Sequence, residues 1–264
     1  MDQNYLLNDQ YKTAANLTAR VDLHKRFSVN RDGWFRWVFD QINLPPRARI
    51  LEIACGRGDL WRENIDRIPA AWDITLTDFA EGMLAETKSN LANTGREFKI
   101  EHADIRSIPY DDAEFDAVIA NHMLYYVPDK PGAFREVLRV RKPGGKFYTT
   151  TVGSRHMEQL NELVQRFCDG ALAFDFDSRG LDFLLENGLA QLEPFFKAIR
   201  MRRYEDALKV MQAEPLVKYI FSGRLKELLK AREQGLRAFI AGEIEASGAI
   251  HIFKDSGIFI GSKG

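Results

Sequence analysis

The sequence predicts a doubly wound α/β fold: a mostly parallel seven-stranded sheet with helices on both faces, plus a helical N-terminal segment and a helical cover. Three observations predict it. From Arg49 onward, short runs rich in β-branched residues alternate with amphipathic stretches, the pattern of parallel strands joined by crossover helices. The runs 49–54, 73–78, 98–104, 115–121 and 145–152 are nearly continuous in apolar residues, as strands buried on both faces should be. The first ends in the small-residue loop Ala54-Cys55-Gly56-Arg57-Gly58, where the missing Cβ of Gly56 and Gly58 lets a ligand approach the backbone.

The elements follow in order. Residues 5–44 read as helical, and Tyr11, Phe27, Trp34, Phe35, Trp37 and Phe39 predict that this segment packs on the core before Pro45-Pro46 breaks it. Asp59 is placed to cap a helix whose Leu60, Trp61, Ile65 and Ile68 share one side until Pro69. A second helix after Asp78 presents Met83, Leu84 and Leu91, and a third starts near Pro131 and stops at Lys142-Pro143-Gly144-Gly145. A helix over 155–167 leads into the aromatic stretch 171–178. Beyond it come a strand over 198–204 and a long helix over 223–246. A terminal pair of strands, 250–253 and 258–260, is joined by a turn at Asp255-Ser256-Gly257. The organisation expected is an N-terminal segment (1–44), a ligand-binding core (45–153), a cover (154–197) and a C-terminal part that completes the sheet (198–264).

With 264 residues, the chain is long for one minimal domain and short for two, so one core with helical elaboration is expected. Apolar residues at 45% and charged residues at 28% exclude disordered and collagen-like classes. No run approaches the length of a membrane span and no secretory signal is visible, which predicts a cytoplasmic protein without a membrane partner. Cys55 and Cys168 give neither metal spacing nor a disulfide framework. A net charge of −1, with both signs interspersed, argues against a nucleic-acid partner; Arg200, Arg202 and Arg203 read as a solvated strand face.

The loop after the first strand lacks the third glycine of a dinucleotide fingerprint, because Trp61 stands three places after Gly58. It resembles instead the first motif of class I S-adenosylmethionine-dependent methyltransferases, acidic-x-Gly-x-Gly-x-Gly, in the form Glu52-Ile53-Ala54-Cys55-Gly56-Arg57-Gly58. Ala54 replaces the first glycine and is expected to tolerate the turn with φ negative. The rest of the family pattern follows in order, with Ile74 to Asp78, His102 to Ile105, Phe115 to Asn121 and the turn Lys142 to Gly145. The resemblance covers 49–152 and implies a Rossmann-like enzyme of the small-molecule type. The resemblance further implies S-adenosylmethionine as cofactor, S-adenosylhomocysteine as product and no need of a metal.

Each position also has a physical case. Asp78, ending the second strand, is placed to accept two hydrogen bonds from a ribose diol, or merely to cap the next helix. Phe79 and Met83 follow it and are counted with the cofactor residues. Asp104 is suited to an adenine amino group, with Ile105 as backbone donor and apolar wall, or is a turn aspartate. Glu52 is expected to hold loop amides or the methionine ammonium, since a buried acid without a cationic partner is costly. Family resemblance sets Asn121 near the methionine portion. His122, Tyr125 and Tyr126 are expected to face the acceptor, or His122 is an ordinary histidine. Tyr11, Arg20 and His24 are candidates to close over the site, Arg20 as partner of the cofactor carboxylate, with packing or solvation as the alternative.

Methyl transfer from a sulfonium needs alignment and exclusion of water more than covalent catalysis. A base is required only if the acceptor must lose a proton, and His122, with Tyr125 and His24 behind it, is the candidate. The sequence has no Asn-Pro-Pro-Tyr or Pro-Cys motif, which argues against methylation of DNA bases and leaves a small molecule with an O, N or C acceptor. Phe174, Phe176, Phe183, Phe195 and Phe196 hint at an apolar or planar acceptor but read first as core. A homo-oligomer that exchanges the N-terminal segment is compatible with the sequence. The competing functions are a non-catalytic cofactor-binding or scaffold protein on the same fold and an NAD(P)-dependent oxidoreductase.

Overall fold

A computed structural model describes residues 15–170, 182–223 and 225–262. Tyr11 and the aromatic stretch with Phe174 and Phe176 lie outside the described residues. The N-terminal segment contains α1 (Ala15–Phe27) and α2 (Trp34–Asp40). Next come β1 (Arg49–Ile53), α3 (Asp59–Arg62), β2 (Asp73–Asp78), α4 (Glu81–Leu91), β3 (Lys99–His102), β4 (Phe115–Asn121), α5 (Lys130–Val140) and β5 (Arg141–Val152). The remainder comprises α6 (Glu158–Phe167), α7 (Gly188–Leu192), β6 (Lys197–Val210), α8 (Ala213–Phe221), α9 (Leu225–Leu229), α10 (Glu233–Ser247) and β7 (Ile250–Ser262).

The seven strands form one sheet in the order β3-β2-β1-β4-β5-β7-β6, and the five N-terminal strands pair in parallel. β7 runs antiparallel to both β5 and β6. Strand order reverses between β1 and β4, so their carboxyl ends open a crevice at a topological switch point. Successive β1 residues alternate sides. Leu51 and Ile53 pack with Phe134 and Val137 of α5, whereas Ile50 packs with Val38 of α2, Trp61 of α3 and Leu91 of α4. Helices therefore cover both faces. A further core joins Leu23 and Phe27 of α1 to Leu160 of α6, Ile220 of α8 and Ile240 of α10.

Several expectations are corrected. The turn expected at Asp255-Ser256-Gly257 is the unbroken middle of β7, whose polar residues find buried partners; a Cβ on Gly257 would stand 2.5 Å from the Arg202 carbonyl. β6 extends to Val210 because all of its second half pairs with β7. The helix expected over 223–246 is divided by a 3₁₀ turn at Lys230–Arg232. Asp59 does not cap α3: Gly58 takes the cap position, and the Asp59 carboxylate accepts from Arg62 at 2.8 Å. Phe183 and Phe196 lie in the core beside the sheet, with Phe195 packed against it, and not over the crevice. Arg200 and Arg202 are exposed on the edge strand β6, as a solvated face.

Candidate active site

A cavity of about 840 Å³ opens at the carboxyl ends of the parallel strands. It brings together Arg20, His24, Ala54, Gly56, Asp78 and Phe79. Met83, Asp104, Ile105, Asn121, His122 and Tyr125 join them, so residues spread over a hundred positions meet because they stand near strand ends, in the first turn of α4, in the 3₁₀ turn after β4 or on the covering helix α1. Two predicted site residues, Glu52 and Gly58, do not line it.

The loop after β1 explains the difference. Ala54 adopts φ 59, against the expectation of a negative φ, because the chain turns out of β1 there while the Cys55 amide pairs with the Thr77 carbonyl at 2.9 Å. Gly56 and Gly58 are also left-handed, at φ 58 and 72. Gly56 faces the cavity. Gly58 faces α4 instead, where an added Cβ would meet Thr87 Cγ2 at 3.1 Å and Leu91 Cδ1 at 3.2 Å, so its absent side chain serves helix packing. Glu52 holds no loop amide, contrary to one expectation for it, and the reason is similar. Glu52 is 2% exposed and lies on the face of β1 turned to α3, where Oε2 accepts from Trp61 Nε1 at 2.6 Å and Oε1 from Asn121 Nδ2 at 2.8 Å. Burial raises its carboxyl to about 7 despite those two hydrogen bonds.

Asp78 both shapes the loop and faces the cavity. Its Oδ2 accepts from the Gly56 amide and its Oδ1 from the Ala80 amide, each at 2.9 Å, so it braces the turn before α4, whose N-cap is Ala80, without capping the helix. With the Phe79 amide also donating to it, the carboxylate keeps part of its four-lone-pair capacity for a ligand hydroxyl. Burial raises its carboxyl to about 6, with the Ala80 and Gly56 amides opposing the rise. Asp104 turns both oxygens to Arg106, accepting from Nε at 3.0 Å and from the terminal guanidinium nitrogen at 2.5 Å. Partial burial pushes its carboxyl up, but those hydrogen bonds outweigh it and the net shift is downward. Ile105, the next residue, is buried at the cavity wall.

At the end of β4, Asn121 is fixed between Glu52 and the Thr150 hydroxyl, which donates to Oδ1 at 3.2 Å. His122 has φ 48, and its amide donates to the Thr150 carbonyl at 3.1 Å. Its ring lies 5.1 Å from that of Trp34. Burial, then the charge of Lys254, lowers its pKa to about 4, so the imidazole is neutral and weakly basic. Tyr125 lies edge-on to Tyr126 in the following 3₁₀ turn. Arg20 donates from Nε to Ser222 Oγ and from the guanidinium terminus to the Ser222 carbonyl, both at 3.0 Å, which ties α1 to the end of α8.

Sequence reasoning missed the floor of the far end. There Lys254 of β7, in an ion pair with Asp206 of β6, borders the cavity together with His156 and Tyr219. A lysine inside an otherwise buried strand was the one available signal.

A parallel sheet with its crevice at the β1–β4 switch point, a bare glycine turn and an acid at the end of β2 define a Rossmann-like nucleotide-binding enzyme. Residues 50–145 match the family model described as a methyltransferase domain. The chain is 33% identical over 180 residues to the ubiquinone/menaquinone biosynthesis C-methyltransferase UbiE of Idiomarina loihiensis, covering 67% of this chain and 69% of that protein. In fold it is similar to Haemonchus contortus phosphoethanolamine N-methyltransferase 2 in complex with S-adenosyl-L-methionine. The TM-score is 0.60 at 18% identity, over 99% of this chain and 59% of that one. It is also similar to the YcgJ protein of Bacillus subtilis, with a TM-score of 0.58 at 15% identity, over 87% and 97% of the two chains. The chain belongs to the class I S-adenosylmethionine-dependent methyltransferases.

Proposed function

We propose that this methyltransferase binds S-adenosylmethionine at the β1, β2 and β3 ends of the cavity and methylates a small molecule held between β4, α1 and β7. The observation that carries the assignment is the Asp78 carboxylate, which lines the cavity beside the bare backbone of Gly56. Those two residues fit a ribose diol and its attached chain. Phe79, Met83 and Ile105 offer apolar walls for a base, and Asp104 a carboxylate at its edge. Asn121, immobilised by Glu52 and Thr150, is assigned to the methionine end.

The cofactor supplies a methyl group already activated on a sulfonium. The chain's own part is to orient the acceptor and exclude water, which the enclosing rings of Trp34 and Tyr219 and the strand ends serve. His122 and His24 are both held neutral, so either can receive a proton only weakly at neutral pH. Carbon is the acceptor atom best supported, from the C-methyltransferase activity named for the UbiE relative. A cytoplasmic setting agrees with two buried free cysteines, and no helix among the described residues is long and apolar enough to cross a membrane.

Calorimetric titration with S-adenosylmethionine tests the assignment. Binding that weakens ~10-fold or more in Asp78→Ala, a loss of at least ~1.4 kcal/mol, is the expected result. Folded protein that binds no S-adenosylmethionine, or binds it equally in the variant, overturns it.

A further inference from the structure

We propose that the far end of the cavity is an acceptor subsite for an oxyanion, a carboxylate or an ionised phenol or enol, held by His24 and Lys254. The assignment of this end to the acceptor rests on the methyltransferase function proposed above.

His24 and Lys254 bring unused hydrogen-bonding capacity to one region, with His156 beside them. Lys254, with its side chain 5% exposed, spends two N–H groups, one on Ser28 Oγ at 3.0 Å and one on Asp206. An ammonium carries three, so one is not taken by these partners. His156 accepts the Asp255 amide on Nδ1 at 3.1 Å. His24 borders the same region, 6.3 Å from His156 between ring centroids and edge-on to Tyr219 at 5.7 Å. Its Nδ1 is buried and has no hydrogen-bond partner among the described residues. A buried polar atom left in this way at a cavity wall points to a ligand.

Two buried carboxylates beside this region are neutralised, Glu63 is paired with Lys25, and Asp32 is exposed to solvent. Asp206 is occupied by Lys254, the Ser28 hydroxyl and the Asn30 amide, and Asp255 is paired with Arg203. Around His24 stand Arg20 and Lys25 of its own helix, His122 after β4, His156 before α6, Tyr219 of α8 and Lys254 of β7. Burial and then Lys254 hold the His24 ring neutral. An entering oxyanion acts in the opposite sense and draws a proton onto His24, so anion binding and proton uptake are coupled. Trp34 and Tyr219 supply flat apolar walls, which suits an acceptor whose acidic oxygen is attached to an unsaturated body.

The test is calorimetry on the full chain saturated with S-adenosylhomocysteine, using benzoate, 4-nitrophenolate and the neutral benzamide as probes. At least one anion is expected to bind ~10-fold tighter than benzamide, with proton uptake seen as a dependence on buffer ionisation enthalpy. Whether benzoate or 4-nitrophenolate is preferred tells carboxylate from phenolate. His24→Asn is expected to weaken the preferred anion ~10-fold and to leave S-adenosylhomocysteine affinity within ~3-fold. Equal binding of benzamide and both anions, or an unchanged anion affinity in a His24→Asn protein that still binds S-adenosylhomocysteine, overturns the proposal. The anion comparison needs no variant, so it stands even if His24→Asn does not fold. Repeating it without S-adenosylhomocysteine separates a failed subsite from a failed cofactor assignment.

Discussion

Glu52 and Asn121 join the carboxyl ends of β1 and β4 through a hydrogen bond of 2.8 Å, with the Trp61 indole on the other carboxylate oxygen. The bond crosses the crevice at the switch point and makes the orientation of a cavity residue depend on a buried acid that never reaches the cavity. Between the ordinary 4.5 and about 7, the folded state holds the Glu52 proton and the unfolded chain does not. The stability this group contributes is therefore full below pH 4.5 and is lost as pH rises toward 7, by about 3 kcal/mol.

Glu52→Gln removes that ionisation. Its amide can donate to Asn121 once the Asn121 amide is turned over, because the Thr150 hydroxyl accepts as readily as it donates. The variant is expected to melt above the parent at pH 8 and close to it at pH 5. A variant that is less stable at pH 8 than at pH 5, relative to the parent, would show that the fold prefers the carboxylate.

The two glycines of the first loop are expected to separate binding from stability. Gly58→Ala forces a Cβ against Thr87 and Leu91 at a left-handed position and should lower stability by roughly 2 kcal/mol, with cofactor affinity within ~3-fold. Gly56→Ala meets only Leu17 at 3.4 Å, costs roughly 1 kcal/mol for its left-handed φ of 58, half the loss expected at Gly58, and puts a methyl at the cavity wall, so it should weaken S-adenosylmethionine ~10-fold. Ala54→Gly relieves a φ of 59 and should raise stability by roughly 1 kcal/mol. Thermal melts and calorimetric titrations on the three variants check the pattern.

Lys254 and Asp206 form an ion pair whose side chains are 5% and 0% exposed. Lys254→Met leaves a buried carboxylate without its cation and should cost about 3 kcal/mol or more in denaturant unfolding. The double variant Lys254→Met/Asp206→Leu should lose less than the two single losses together, by about 1 kcal/mol or more. Strict additivity would show that the pair is not coupled.

His122 is expected to make the fold acid-sensitive and not to act as the titrating base. Its folded pKa of about 4 lies below the ordinary 6.5, so its contribution is full above pH 6.5 and is lost as pH falls toward 4. Asparagine tolerates the left-handed backbone at this position. His122→Asn should show a smaller fall in melting temperature between pH 7 and pH 5 than the parent. If a limb near pH 6.5 in the kcat/KM profile disappears in this variant, His122 is the base after all.

The sequence by itself determined the parallel core and most of the cavity wall. Strands β1, β2 and β4 are buried on both faces and read as apolar runs, and Asp78, Asp104 and Asn121 stand at or just beyond strand ends, where a doubly wound sheet gathers them whatever the details. What it did not determine is the direction and partner of each side chain. Glu52 and Gly58 belong to the same motif as Gly56 yet face α3 and α4, because that depends on strand twist and on helices elsewhere in the chain. Asp255-Ser256-Gly257 looks like a turn, but folding supplies Arg203 to Asp255, His156 to Ser256 and Asp206 to the adjacent Lys254, and this pairing lets β7 run unbroken. Ser28 and Lys254, in hydrogen bond at 3.0 Å, are 226 positions apart. Local pattern encodes burial, but a buried charge takes its meaning from the partner that folding brings to it.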